Sequence, residues 1–331
     1  MKLSIIGGGA WGTTLGQTLI DNGHKVLIYD INLEVVNSIN MKKHPFFETT
    51  LPHTIKATTS LHELVAFSSY YVLAIPTKTI RSVMMEINPL LKQTSYFINV
   101  SKGIEPFTLK RVSQIVKEVI SPEMYGAFAV LTGPSHAEEV ILRHITLLVT
   151  ASDHPMFAKK VQEIFSNQHY LRVYTKEDLI GCEVGGAIKN AIAVISGICT
   201  GLGLGENARA AVITRGIVEI VRVVEVMGGK RETAFGLTGI GDLIVTASST
   251  HSRNFMAGKR IGEGLPLEMV YGTEKQTIEG LRTIEAMHDL SIKHQIELPM
   301  IETAYRIIYQ GLPVQEGLRQ LLSRDLKDEI I

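Results

Sequence analysis

Apolar and polar positions follow two different rhythms along the chain. In the first part, short apolar runs at Leu3–Ile6, Lys25–Asp30, Tyr70–Ile75, Ser95–Val100, Ala127–Leu131 and Ile145–Thr150 read as strands, with a further one at Leu171–Tyr174. Helical spacing fills the gaps at Thr13–Ile20 and near 79–91, 108–119 and 155–166. Strand–helix alternation of this kind predicts a right-handed, mostly parallel, doubly wound sheet. From about Lys176 the pattern changes to helix after helix, at roughly 177–199, 206–227, 253–262, 275–291, 298–310 and 313–323. Glycines punctuate the ends, as at Gly228-Gly229 and Gly262-Glu-Gly264. There is no low-complexity linker and no internal repeat, so an α/β domain over 1–176 and an all-helical domain over 177–331 are expected to pack together with a cleft between them.

Within the helical half, the run Glu183–Ile198 is apolar nearly all round, with Lys189 and Asn190 as its strongly polar interior residues. Such a helix belongs inside a protein, where an unpaired ammonium is disfavoured. On the helix alone, a lysine snorkelling to water along its methylene stem explains the pattern as well as a functional one does. Other parts of the sequence have to decide.

Composition narrows the setting. With 331 residues, the chain is long enough for two domains. Its 33 Lys+Arg balance 33 Asp+Glu, which removes any bulk electrostatic case for nucleic acid or an anionic membrane. The N-terminus enters a strand pattern at once, without a signal-peptide h-region, and no apolar run is expected to reach the length of a membrane span. The two cysteines, Cys182 and Cys199, form no C-x-x-C pattern, which suits a reducing cytosol. The eleven histidines form no H-E-x-x-H or Cys/His cluster, so no metal site is expected. A cytoplasmic α/β protein is the expectation at this level.

Chemistry first appears at the N-terminus. The strand Leu3–Ile6 runs into Gly7-Gly-Gly-Ala-Trp-Gly12, a helix follows, and the next strand ends in Asp30. This is G-x-G-x-x-G inside one βαβ unit, the dinucleotide-binding arrangement. Gly7 permits the tight turn, Gly9 lets backbone approach a pyrophosphate, and Gly12 allows close helix–strand packing. The pyrophosphate would sit on the backbone N–H groups of the helix N-terminus. Asp30 is the candidate acceptor for the adenosine ribose hydroxyls, which leans toward NAD over NADP, although a solvated strand-end acid reads the same way. Ile31 and Asn32 follow it where a base would favour NADP.

Other polar turns close the strands at Pro76-Thr-Lys78, Ser101-Lys-Gly103 and Thr132-Gly-Pro-Ser135, and ligands of such sheets sit at the carboxyl ends of the strands. Lys102 is the notable charge there, unless it is an ordinary loop lysine. In the second half, Leu237-Thr-Gly-Ile-Gly-Asp-Leu243 places Asp242 at a helix start, where it serves either as an N-cap or as a partner for a buried lysine. Ser248-Ser-Thr-His-Ser-Arg-Asn254 puts hydroxyls, an arginine fork and an amide at a helix N-terminus, a ready anion site. Lysines, an acid and an Arg/Asn pair near one nicotinamide suit an anionic, carbonyl-bearing substrate.

Taken together, Gly7–Gly12, Ser101-Lys-Gly103, Gly133-Pro-Ser-His-Ala137, Glu183-Val-Gly-Gly-Ala-Ile-Lys-Asn190, Gly239-Ile-Gly-Asp242, Ser252-Arg-Asn254 and Ile278-Glu-Gly280 resemble the bacterial-type NAD(P)-dependent glycerol-3-phosphate dehydrogenases over essentially the whole chain. The resemblance implies reversible reduction of dihydroxyacetone phosphate to sn-glycerol 3-phosphate for glycerophospholipid synthesis, by a homodimer with a helical C-terminal domain. Residue by residue, it implies that Lys189 is the proton donor and acceptor and that Lys102 touches both cofactor and substrate. It implies substrate contacts from Gly133, Ser135, Asp242, Ser252, Arg253 and Asn254. Cofactor contacts are implied for Ala10, Trp11, Ala137, Arg253 and Glu279. This chain departs from the family pattern at Ala10, often a small polar residue, at Ile31, often basic, and at Thr277, often Val. Two rivals remain: a dehydrogenase of 3-hydroxy acids or ketopantoate, and a regulator that senses NAD(H) without turnover.

Overall fold

The computed structural model describes residues 1–272, 278–326 and 328–329. They form two compact units, one from Met1–Lys102 and Lys110–Glu183, the other from Gly103–Leu109 and Val184–Ile331. Thr277, and the part of the expected 275–291 helix before Ile278, lie outside the described residues.

The first unit is built on eight strands: β1 (Lys2–Ile6), β2 (Lys25–Tyr29), β3 (Lys56–Thr58), β4 (Tyr70–Leu73), β5 (Ser95–Asn99), β6 (Tyr125–Thr132), β7 (Thr146–Ser152) and β8 (Leu171–Lys176). Their order is β3-β2-β1-β4-β5-β6-β7-β8. All neighbours are parallel except β6 and β7, which run antiparallel. This confirms the doubly wound, mostly parallel sheet. Leu3 and Ile5 of β1 are wholly buried among Leu15 and Leu19 of the helix Ala10–Asp21, Val72 of β4 and Ile98 of β5. Burial on both faces explains why these strands read as continuous apolar runs rather than alternating ones.

The helices of the second unit follow the sequence expectation at Gly205–Val226, Arg253–Gly262, Pro299–Gln310 and Val314–Leu322. The lysine-bearing helix spans Leu179–Gly201, beginning within the first unit and continuing through the second. Here one expectation is corrected. At 23 residues this helix is long and apolar enough to cross a membrane by length and composition, but it is 89% buried inside the protein over its most apolar window. It is a core helix. Its first turns are fixed within the first unit by Glu183, whose carboxylate accepts from Arg111 Nη1 at 2.6 Å and from the Ser113 backbone N–H at 2.8 Å.

Further along, the same helix lies almost backbone to backbone against Arg253–Gly262. A Cβ at Gly258 would sit 1.9 Å from the Val194 carbonyl oxygen, and one at Gly197 would sit 2.0 Å from that of Phe255. Gly262, expected to end its helix, serves this close approach as well, lying where a Cβ would meet the Ile198 oxygen at 2.3 Å. The left-handed turn after that helix belongs to Gly264, at φ +88°. Small residues at four-residue spacing let two helices approach closely, and this sets the register between the residues around Lys189 and those around Arg253.

Candidate active site

In the first unit, β1, β2, β4, β5 and β6 run parallel, so the glycine loop, Asp30 and the turns after β4, β5 and β6 emerge on one edge of the sheet. Gly7 has φ +108° and donates its N–H to the Tyr29 carbonyl at 2.8 Å, and a side chain there would strike the Ala74 backbone. A Cβ on Gly12 would lie 2.0 Å from the Gly7 carbonyl oxygen. Its close contact is therefore with the loop turn as well as with Ala74 of the β4 turn, rather than with a strand alone. Gly9, by contrast, has nothing within 4 Å of an added Cβ, and as N-cap of Ala10–Asp21 it brings no capping side chain. An open backbone at an uncapped helix N-terminus fits a pyrophosphate. Ala10 and Trp11 form the first turn of that helix.

Asp30 accepts the Gly8 N–H at 2.7 Å and the Asn32 N–H at 2.9 Å, which aims its carboxylate across the mouth of the loop. His44, which the sequence reading did not single out, lies against the same helix start. Its Nδ1 accepts from Phe46 and Phe47 N–H at 3.2 Å, its Nε2 lies 3.4 Å from Thr14 Oγ1, and burial pushes it down to about 4, so it stands there as a neutral ring.

The turns after β4, β5 and β6 are laced together. Ser101 Oγ donates to the Leu73 and Ile75 carbonyls at 3.1 and 2.6 Å. Lys102 Nζ donates to the Gly133 carbonyl at 3.0 Å, an oxygen that also accepts from Ser135 Oγ at 2.9 Å. The structure therefore brings Lys102, Gly133 and Ser135 into one constellation. Ala137 follows as the first residue of the short helix Ala137–Val140.

In the second unit, Lys189 is 5% exposed. Its Nζ lies 2.9 Å from Asp242 Oδ1 and donates to Thr246 Oγ1 at 2.6 Å. A lysine snorkelling to water is excluded, since its head group sits at the buried end of a paired network. Asp242 opens the helix Asp242–Ala247, but its side chain goes to Lys189 rather than capping. The sequence reading missed Thr246, although an i, i+4 spacing from Asp242 on a helix was a usable signal.

Ser252 is the N-cap of Arg253–Gly262, its oxygen accepting from Phe255 N–H at 3.2 Å. Arg253 is exposed in the first turn of that helix. Asn254 does more than the sequence suggested. Its Nδ2 donates to Asn190 Oδ1 at 3.0 Å, and its Oδ1 accepts the Gly280 N–H at 2.8 Å. It thereby joins the lysine helix, its own helix and the helix Glu279–His294, and leaves one amide hydrogen for a ligand. Gly280 fits because a Cβ there would lie 2.5 Å from the Asn190 carbonyl oxygen. Among the described residues no group of His, Cys, Asp and Glu is arranged to hold a metal ion.

Comparison with known proteins decides the lineage. Residues 2–158 match the model of the NAD-dependent glycerol-3-phosphate dehydrogenase N-terminus, and residues 178–319 match that of its C-terminus. The chain is 61% identical over all of both lengths to "Glycerol-3-phosphate dehydrogenase [NAD(P)+]" of Acholeplasma laidlawii. The chain belongs to the NAD-dependent glycerol-3-phosphate dehydrogenase family. A relative of the same name from Phytoplasma australiense is 48% identical over 99% of this chain and 100% of its own. The crystal structure of glycerol-3-phosphate dehydrogenase from Coxiella burnetii superposes with a TM-score of 0.92 at 33% identity, covering 98% of this chain and 99% of that one. Membership in the glycerol-3-phosphate dehydrogenase family agrees with the expectation from the motifs, and NAD or NADP is the cofactor of that family.

Proposed function

We propose that this chain catalyses reversible, NAD(P)-dependent reduction of dihydroxyacetone phosphate to sn-glycerol 3-phosphate. The observation that carries the assignment is the buried Lys189–Asp242–Thr246 network, an ammonium kept inside the protein by an acid at 2.9 Å and a hydroxyl at 2.6 Å. An ion pair kept in the interior is weak support for a stability role, and the family context gives it a proton to move.

The glycine loop, Trp11, Asp30, Ala137 and Glu279 would hold the dinucleotide, which supplies hydride when bound. Lys189 donates a proton to the carbonyl oxygen as negative charge develops there, and in the oxidative direction its neutral form takes the proton back. Asp242 and Thr246 orient the Nζ. Lys102, held by the Gly133 carbonyl, acts electrostatically on the same developing charge. Arg253 and the remaining Asn254 hydrogen, at the helix N-terminus capped by Ser252, hold the phosphate, with Gly133 and Ser135 as further substrate contacts. Holding the remote phosphate sets the carbonyl in a reactive position.

In this reading residues 1–176 form the dinucleotide-binding domain and residues 177–331 the helical substrate-binding domain, with Glu279 reaching the dinucleotide and Lys102, Gly133 and Ser135 the substrate. The product feeds glycerophospholipid synthesis, and the enzyme works in the cytoplasm as a homodimer. Purified protein should oxidise NADH or NADPH with dihydroxyacetone phosphate and leave unphosphorylated keto acids unchanged. Turnover of ketopantoate or a 3-oxo acid at comparable rates contradicts the assignment, and tight NADH binding with no turnover leaves the regulator.

A further inference from the structure

Family membership leaves open which dinucleotide this chain takes, and the turn after β2 addresses that question. Asp30 is held from both sides, Oδ2 by the Gly8 N–H at 2.7 Å and Oδ1 by the Asn32 N–H at 2.9 Å. Fixed in this way, the carboxylate has little freedom to turn aside for a second anion. Each oxygen still has a lone pair for a ribose hydroxyl.

The helix Leu33–Asn40 begins next, and helix N-termini commonly receive anions. This one is closed from within, since Asn32 Oδ1 accepts the Glu34 N–H at 2.8 Å, and Glu34 adds an acid to the first turn. No Lys or Arg stands between Lys25 and Lys42. Lys25 and Lys56 open β2 and β3, at the strand ends away from Asp30, and Lys42 Nζ donates to the Ile55 carbonyl at 2.5 Å. Among the described residues Asp30 has no ion-pair partner. Instead the turn presents Ile31, 86% exposed, and Leu33, 60% exposed.

We propose that the Asp30–Glu34 turn makes the enzyme selective for NADH over NADPH, with Asp30 accepting from the adenosine ribose and Ile31 standing where a 2′-phosphate would need a cation. The inference rests on the dinucleotide reading of the first unit. A 2′-phosphate would come against a fixed carboxylate with a second acid one turn away and, among the described residues, no base paired with that carboxylate. Juxtaposed like charges of this kind discriminate by about 100-fold or more.

The test is kcat/KM with dihydroxyacetone phosphate for NADH and NADPH, beside dissociation constants from quenching of Trp11, the one tryptophan of the chain. Wild type is compared with Ile31→Arg and with Asp30→Asn/Ile31→Arg, in which the Asn oxygen still accepts the Gly8 N–H. We expect wild type to favour NADH by about 100-fold or more in both measures, and the double variant to narrow that ratio by about 100-fold through gained NADPH use. Wild-type use of both cofactors within about threefold overturns the inference, as does a double variant that loses NADH and gains no NADPH. Wild type that binds neither dinucleotide overturns the underlying reading as well, an outcome separable from binding without discrimination.

Discussion

Lys189 Nζ lies 2.9 Å from Asp242 Oδ1 in an environment where the lysine side chain is 6% exposed and the aspartate side chain 1%. A buried charge is tolerated when it is paired and hydrogen-bonded. The pair joins the interior of the Leu179–Gly201 helix to the first residue of Asp242–Ala247, so the proposed reactive nitrogen is fixed by two rigid elements.

Thr246 completes that arrangement, accepting from Lys189 Nζ at 2.6 Å and donating to the Asp242 carbonyl at 2.6 Å. Hydrogen bonds to charged groups contribute about 1.5–3 kcal/mol. Thr246→Val should therefore lower kcat about 10- to 100-fold while Thr246→Ser retains most of it. Steady-state kinetics of both variants check this, and equal kcat for Val and Ser would show that the hydroxyl does not matter.

Arg253 is exposed in the first turn of its helix, as a phosphate ligand requires. Arg253→Ala should raise the KM for dihydroxyacetone phosphate about 10- to 100-fold, the range expected for a lost charge-assisted contact. The rise should exceed any change in the KM for NADH. An unchanged substrate KM would place the anion site elsewhere.

The Gly197–Gly258 approach sets the geometry beneath both groups. Gly258→Ala would press a methyl group into the Val194 carbonyl, where a Cβ lies 1.9 Å away. Overpacking of a closed interior destabilises by about 1–3 kcal/mol, and a backbone clash sits at the upper end of that range. Urea unfolding should show the loss, and a midpoint unmoved from wild type would mean that the helices separate at no cost.

Glu219 gives a dependence on pH. Its carboxylate accepts the Met300 and Ile301 N–H groups at 2.7 and 3.2 Å, capping Pro299–Gln310 from inside, and burial raises it from 4.5 to about 7. The folded state thus holds this proton more tightly than the unfolded state does. The group's contribution to stability is full below about 4.5 and falls, on the order of 3 kcal/mol in all, as pH rises toward about 7. Gln stands in for the neutral acid, so stability curves for wild type and Glu219→Gln should run together at low pH and diverge as pH rises across that window, with wild type losing stability. A gap that stays constant with pH would contradict the shift.

Much of this was legible in the chain itself. The central strands were readable because burial on both faces leaves continuous apolar runs, and the glycine loop because Gly7 and Gly12 answer to local backbone geometry. Strand β3 was not legible, since Lys56-Ala-Thr58 is three residues long and carries no apolar run. The helices Leu33–Asn40 and Leu61–Phe67 are too short for a firm period. At the site, Lys189, Asp242 and Arg253 stood out as charges in apolar or glycine-rich surroundings. Thr246 did not, and Gly280 entered only as part of the Ile278-Glu-Gly280 motif, because their roles depend on partners 57 and 26 residues away in sequence, which only the folded chain brings close. The membrane-length helix shows the same limit, since its burial is a tertiary fact.

The central claim is that Lys189 moves the proton. Single-turnover reduction of dihydroxyacetone phosphate by Lys189→Met, alongside NADH binding measured by Trp11 quenching, tests it most directly. The account predicts a fall of about a thousandfold in the reduction rate, within the range for a lost general acid, with the NADH dissociation constant retained. A Met variant that reduces the ketone at a near-normal rate would contradict it.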